Sequence, residues 1–252
     1  MHSFDRLRNG IFALMVRLGS KQNGSAAAYI KRVARRLFSE FGVDGVTVRT
    51  IAKAAGQKNH GAVGYHFGSK EALVREIVRD GAVLIDRRRQ DALDQLESEG
   101  GPRNIREVVS ILTSSALDME EDGEGEDTYI RFVTMLGMTH RSLFLDSLER
   151  RWNAGYLRCL EHLRRLMPDM PAAAKNQRFV FMGAYLSAVL SMREAALTDT
   201  RREHPVWSSP LTIEHFEDTL AAMLEAPAPI PGTGSGAGSF VGMDATTRPE
   251  AL

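Results

Sequence analysis

A short segment near the start of the chain concentrates side chains that can hydrogen-bond to nucleic acid. Within the turn and short helix around residues 57–66, the outward-facing polar groups are Lys58, Asn59, His60, Tyr65 and His66. Their ammonium, amide, imidazole and phenol groups can donate or accept hydrogen bonds at base edges and phosphates. This segment predicts contact with double-stranded DNA.

The same sequence offers no pattern that is typical of catalysis. It contains no nucleophile elbow, no phosphate-binding loop and no histidine pair at metal-ligand spacing. Cys159 is the only cysteine, which excludes an intramolecular disulfide and a cysteine-rich zinc site. We therefore expect no catalytic residues, no metal and no cofactor. A single cysteine is consistent with a reducing compartment. We expect a cytoplasmic protein without a membrane span.

The charges of the chain are unevenly distributed. The formal net charge is zero, with 32 basic and 32 acidic residues. Up to Arg75 there are 13 basic and 4 acidic residues, a balance of +9, which leaves 19 basic and 28 acidic residues, a balance of −9, in the remainder. A basic segment joined to an acidic body indicates that the first part meets a polyanion.

The elements that position the polar segment are predicted to be helices, and the fold class is all-α. The first strong helix begins at Ala26, carries a buried stripe at i, i+3, i+4 and i+7 spacing, and ends at Gly42. A short helix with Thr47 as N-cap runs to Gly56, and a second runs from about His60 to Tyr65. Two short helices joined by a tight turn form a helix-turn-helix.

The later periodicity predicts six further helices. They span about 69–96, 105–119, 128–139, 142–167, 172–198 and 211–225. We divide the chain into an N-terminal extension (1–25), a helix-turn-helix DNA-binding domain (26–72), a helical ligand-binding and dimerisation domain (73–225) and a disordered tail (226–252). The tail is predicted from its prolines, glycines and few large apolar groups.

This organisation resembles the tetracycline-repressor (TetR) family of bacterial transcription regulators. The resemblance covers about 45 residues and rests on Ile30, Ala34, Leu37, Phe38, Phe41-Gly42, Thr47 to Ala52, Ala54 to Gly56 and Tyr65 to Leu73. It implies a three-helix DNA-binding domain, a fourth helix that links it to a larger helical domain, a small-molecule ligand and a homodimer. It also implies phosphate contacts by Thr47, Arg49, Tyr65 and Lys70.

The later helices contain soft and aromatic side chains that suit an apolar or aromatic effector. The ligand-pocket candidates are Phe132, Met135, Met138, His140, Trp152, Tyr156 and Tyr185. Each is also an ordinary core residue of a helical bundle by its spacing alone.

The last two long helices each carry an apolar seam. These seams predict a four-helix contact between two copies of the chain, although both seams can also be buried within one chain. We expect a ligand-responsive transcriptional regulator that acts as a repressor and binds a palindromic operator as a homodimer. The alternatives are an architectural helix-turn-helix protein without a ligand and, last, an all-α enzyme.

Overall fold

The computed structural model describes residues 26–57, 59, 61–119, 127–149 and 151–227, and within these ranges all regular structure is helical. This confirms the predicted all-α fold. The helices are α1 (Ala26–Phe41), α2 (Val48–Ala54), α3 (Ala62–Phe67), α4 (Lys70–Ser98), α5 (Ile105–Ser114), α6 (Tyr129–Thr139), α7 (Arg141–Leu148), α8 (Ala154–Leu166), α9 (Ala172–Thr198), α10 (Pro205–Ser208) and α11 (Pro210–Glu225). The N-terminal extension and residues 228–252 of the predicted tail lie outside the described residues.

The chain forms two compact units. Unit 1 comprises Met1–Ala82 and Asp118–Arg150, and unit 2 comprises Val83–Leu117 and Arg151–Leu252. Unit 1 therefore contains more of the chain than the DNA-binding domain predicted at 26–72. It adds the first half of α4 and two helices, α6 and α7, that the sequence division assigned to the ligand-binding domain.

Helix α1 forms the centre of the core of unit 1. The predicted stripe is buried: Ile30, Val33, Ala34 and Leu37 have no exposed surface, and Phe38 is 1% exposed. Gly42 ends the helix with a φ of 72°, a left-handed conformation that glycine adopts without steric cost.

The core on which α1 packs includes residues that are distant in sequence. Phe132 of α6 stacks on Phe38 with 5.9 Å between ring centroids. Leu136 and Phe144, from α6 and α7, belong to the same cluster of buried residues as α1, α2 and α3. The first helices of the chain therefore share one apolar core with residues that lie about a hundred positions later.

Three predicted helices differ from the observed ones. The second short helix begins and ends two residues later than predicted, and the helix predicted at 105–119 ends at Ser114. The helix predicted at 142–167 is two helices, α7 and α8. The break lies at Glu149, which adopts a φ of 49° after α7. Because the apolar periodicity continues across the break, the sequence did not indicate it.

A backbone N–H at the start of α8 finds its hydrogen-bond acceptor on a residue of α4. Its N-cap residue, Asn153, makes no side-chain capping bond, and the N–H of Gly155 donates instead to Oδ1 of Asp86 at 2.8 Å. A helix N-terminus needs such acceptors because its first N–H groups have no partner within the helix. A tertiary contact thus replaces the local cap.

Unit 2 packs α5 against both α8 and α11. Val108 and Leu112 of α5, Leu163 of α8 and Leu220 and Leu224 of α11 are fully buried. Helix α9 also packs on α11. It is the one helix of the described ranges that is long and apolar enough to cross a membrane by length and composition, and 28% of its most apolar window is buried.

The shared core of unit 1 predicts unequal effects for two residues of α6. Phe132→Ala removes a side chain that is 1% exposed and lowers the free energy of unfolding by about 3–5 kcal/mol. Met138→Ala removes one that is 80% exposed and changes it by less than about 0.5 kcal/mol. Urea unfolding measures both, and equal losses would show that α6 does not contribute to the core as described.

Candidate nucleic-acid interface

Helix α2 is fixed at both ends by local hydrogen bonds. At its start the hydroxyl of Thr47 accepts a hydrogen bond from the N–H of Thr50 at 3.1 Å, which confirms the predicted N-cap. At its end the N–H of Gln57 donates to the carbonyl of Ala52 at 2.9 Å, and that of Gly56 donates to Lys53 at 3.1 Å. This pair of bonds is a Schellman motif, which reverses the chain towards α3.

The turn into α3 is shaped by Asn59. Its Oδ1 accepts a hydrogen bond from the N–H of Gly61 at 2.8 Å, and its carbonyl accepts one from Ala62 at 3.1 Å. The side chain that the sequence assigned to base reading therefore also holds the turn. Lys58 and His60, which the sequence assigned to the same surface, lie outside the described residues.

Helix α3 has one face in the core and one face in solvent. Ala62, Val63 and Phe67 are buried, and Phe67 packs in the shared core of unit 1. Tyr65 is 86% exposed, and its ring meets that of His66 edge-on at 5.0 Å between centroids. An aromatic side chain that is this exposed is available to a partner rather than to the core.

Exposed polar side chains occur on α2 as well as on α3. Thr47, Arg49 and His66 are exposed, as the predicted DNA contacts require. Lys53 is exposed in the last turn of α2 and was absent from the predicted set, although its position on α2 near Arg49 is visible in the sequence. Residues 26–75 hold nine basic and three acidic side chains, a balance of +6. Such a surface attracts phosphates.

Lys70 plays a structural part that the sequence did not reveal. Its ammonium donates to the carbonyls of Val43 at 2.9 Å and Val46 at 3.2 Å, and so joins the first residue of α4 to the turn between α1 and α2. An ammonium has three donors, so one N–H is left for a phosphate. The phosphate contact of Lys70 stays a prediction.

The ligand-pocket candidates fall in different parts of the chain. Four belong to unit 1: Phe132 is in its core, Met135 lies near Gly42, Met138 is 80% exposed, and His140 contacts Asp44 through Nε2 at 3.2 Å.

The other three candidates belong to unit 2. Tyr156 is buried, its ring faces the guanidinium of Arg89, and burial raises the pKa of its phenol to about 12. The hydroxyl of Tyr185 lies 3.0 Å from that of Thr219. The indole nitrogen of Trp152 is buried without a hydrogen-bond partner among the described residues. The role of all seven residues in a pocket stays a prediction.

Beyond this surface, the candidates for reactive groups are metal-ligating side chains and the thiol of Cys159. No group of three His, Cys, Asp or Glu side chains in those ranges is placed to hold a metal ion. Burial raises the pKa of the Cys159 thiol to about 11, so the thiol stays protonated at neutral pH and reacts slowly with oxidants.

Comparison with known proteins finds similarity in the segment that runs from within α1 into the first part of α4. Residues 30–77 match the family model described as bacterial regulatory proteins, tetR family. A transcriptional repressor named AcnR from Corynebacterium efficiens is 47% identical over 49 residues, which is 19% of this chain and 26% of that protein. AcnR from Corynebacterium glutamicum is 39% identical over 69 residues, 27% of this chain and 36% of that protein. The matches thus span about a quarter to a third of these relatives.

The fold similarity extends further along the chain. A crystal structure described as a tetR family transcription regulator from Shewanella sp. PV-4 has a TM-score of 0.51 and covers 80% of this chain and 97% of its own, at 16% identity. At that identity the similarity concerns the fold. It confirms the predicted arrangement of an N-terminal helix-turn-helix followed by a helical domain.

The geometry predicts different effects for Lys70 and Tyr65 on stability. Lys70→Ala leaves two turn carbonyls without their donor and lowers the free energy of unfolding by about 1–3 kcal/mol. Tyr65→Ala removes an exposed ring and changes it by less than about 0.5 kcal/mol. Chemical denaturation of both variants without DNA measures the difference. Wild-type stability of Lys70→Ala would contradict the anchoring role.

Proposed function

We propose that this chain, whose residues 30–77 match the model of the tetR family of bacterial regulatory proteins, is a homodimeric transcriptional repressor that binds a palindromic operator and responds to a small effector. The observation that carries the proposal is α3, a short helix held by buried Val63 and Phe67 that presents exposed Tyr65 and His66 on a basic surface. We further propose that it acts in the cytoplasm.

In this proposal α3 enters the major groove and the surrounding cations contact the backbone. Side chains at the start of a recognition helix contact base edges, while Arg, Lys, Thr and Tyr groups beside it contact phosphates. Asn59 and His60 precede α3 in the sequence and take the first role. Phosphate contact, alone or together with base contact, is the role proposed for Thr47, Arg49, Lys58, Tyr65, His66 and Lys70.

The dimer is proposed from the exposed face of α9. Phe181, Ala184, Tyr185, Ala188 and Met192 follow one another at helical spacing and are all exposed, with Phe181 at 53% and Met192 at 60%. A continuous apolar stripe of this kind in a soluble protein marks an interface.

A second copy of the chain is the occupant that fits the stripe on α9 best. A palindromic operator needs two DNA-binding domains related by a two-fold axis, and an isologous contact along α9 provides that symmetry. The uncharged stretch between Arg178 and Arg193 has 14 residues, fewer than the roughly 20 that a membrane span needs. Helix α11 packs on α9 and completes a four-helix contact between the two copies.

The effector is proposed to be apolar or aromatic and to bind in the helical domain. Trp152, Tyr156 and Tyr185 are the candidates that lie in unit 2. An effector that prefers the state with low DNA affinity weakens DNA binding by its differential binding energy, typically about 1–3 kcal/mol. A helix-turn-helix protein without an effector is the remaining alternative, and a screen for molecules that release bound DNA separates the two.

The dimer proposal predicts that a charge in the α9 stripe produces monomers. Phe181→Glu places a carboxylate in the proposed contact and converts the dimer to a monomer in light scattering at micromolar concentration. Met138→Glu, at a side chain that is 80% exposed in unit 1, is the control and leaves the dimer intact. A Phe181→Glu protein with the mass of the wild type would contradict the proposed interface.

The DNA proposal predicts that two residues near α3 change binding in different ways. Tyr65→Phe loses a phosphate contact and weakens binding to all duplexes alike, by about fivefold at low salt. Asn59→Ser keeps a side-chain acceptor in the turn but changes the group near the bases, and so changes which sequence is preferred. Competition binding with a randomised duplex library measures both, and a loss confined to one sequence in Tyr65→Phe would contradict its role.

A further inference from the structure

Two neighbouring residues at the start of α6 each carry a buried oxygen atom that is left unpaired. These atoms are Oδ1 of Asp127 and the hydroxyl oxygen of Thr128, and neither has a hydrogen-bond partner in the part of the chain that the structure describes. Thr128 as a whole is 2% exposed. Because an unpaired buried polar atom costs about 1–3 kcal/mol, each one in a folded protein calls for an explanation, such as a bound water or ion.

The local hydrogen bonds do not use these two oxygens. Asp127 bonds through its other carboxylate oxygen, Oδ2, which accepts from the N–H of Met119 at 3.1 Å. Thr128 is the N-cap residue of α6, where a hydroxyl normally accepts a bond from the helix, but its side chain makes no capping bond. The two residues are consecutive, yet the free carboxylate oxygen and the hydroxyl do not bond to each other. Both oxygens therefore remain available to a third group.

The residue that follows Thr128 fixes this part of the chain to α4. Tyr129 is 3% exposed, and its hydroxyl donates a hydrogen bond of 2.7 Å to the carbonyl of Val78. A Cβ at Gly81 would lie 2.7 Å from Cδ2 of the Tyr129 ring, so the ring occupies the space that a side chain there would need. All these residues belong to unit 1. The backbone that carries the two oxygens consequently has a defined position.

The two oxygens match the ligands of a hard divalent cation. A carboxylate accepts hydrogen bonds but cannot donate them, so Oδ1 of Asp127 needs either a donor or a positive charge. By sequence, residues 118–127 include seven carboxylates, and this charge favours a cation over an anion. Mg²⁺ binds one or two carboxylates and keeps several of its water ligands. It also takes a serine or threonine hydroxyl as a ligand in phosphate-binding loops.

We infer that Asp127 and Thr128 bind a divalent cation of the Mg²⁺ class, through Oδ1 and the hydroxyl oxygen, and that this cation stabilises the start of α6. The inference departs from the expectation of no metal, which rested on the absence of cysteine-rich and histidine-rich patterns. It does not depend on the proposed function, because it concerns unit 1 of the free protein. A cation that binds the folded chain and not the unfolded chain raises the free energy of unfolding by mass action.

The test measures the full chain after treatment with EDTA and desalting, and again after addition of MgCl₂, CaCl₂ or MnCl₂. Thermal unfolding gives the overall effect, and hydrogen exchange of peptides from α6 gives the local one. Thr128→Val removes the hydroxyl and keeps the size of the side chain, whereas Thr128→Ser keeps a hydroxyl. Asp127→Asn removes the carboxylate. Asp169→Asn removes an exposed carboxylate of unit 2 and is the control.

The melting temperature of the wild type is expected to rise by about 3 °C or more in MgCl₂ at about 5 mM, with slower exchange in α6. Thr128→Ser and Asp169→Asn keep this shift, and Thr128→Val and Asp127→Asn lose it. Without cations Thr128→Val is at least as stable as the wild type, because it removes an unpaired buried hydroxyl.

Two results overturn the cation site. One is a wild type whose melting temperature and α6 exchange are the same in EDTA as with all three cations. The other is a folded Thr128→Val or Asp127→Asn protein that keeps the full shift, since the cation would then bind elsewhere. If Asp127→Asn does not fold, Thr128→Val decides the matter alone.

Discussion

Helix α3 keeps its position because its side chains are anchored in the core of unit 1. A helix of six residues has almost no stability of its own in water, because nucleation costs more than so few backbone hydrogen bonds return. Val63 and Phe67 hold α3 by burial against a core that is built on α1. The exposed Tyr65 and His66 are therefore positioned by residues that are buried in the core.

That core depends in turn on distant parts of the chain. Phe132 stacks on Phe38, and Tyr129 binds α4 beside Gly81, so α6 contacts both α1 and α4. Lys70 and His140 add polar links to the turn between α1 and α2. A displacement of α6 would consequently disturb both α1 and α4.

Local features of this fold were predictable from the sequence. The stripe on α1, the Thr47 cap, the turn at Gly56 and the bounds 172–198 of α9 follow from side-chain periodicity and from the backbone preferences of single residues, and the structure confirms them. The similarity of this segment to the TetR family was also recognisable, because the matching residues lie close together in the chain.

Features that depend on tertiary contacts were not predictable. The helix is broken at Glu149 although the apolar periodicity continues on both sides. The helix that follows begins with an N–H that donates to Asp86, which is far away in sequence. The carbonyl partners of Lys70 and the fit of Tyr129 to Gly81 exist only after folding. For the same reason helical spacing alone could not tell that Phe132 stacks on Phe38 in the core.

The most direct test of the central claim is a hydroxyl-radical footprint of the purified protein on its selected DNA, combined with the mass of the complex. A dimer on a palindromic operator gives two chains per duplex and two protected segments, whose centres are about one helical turn, roughly 34 Å, apart on one face. Continuous protection that is independent of sequence, or a single chain on a single half-site at saturation, would contradict it.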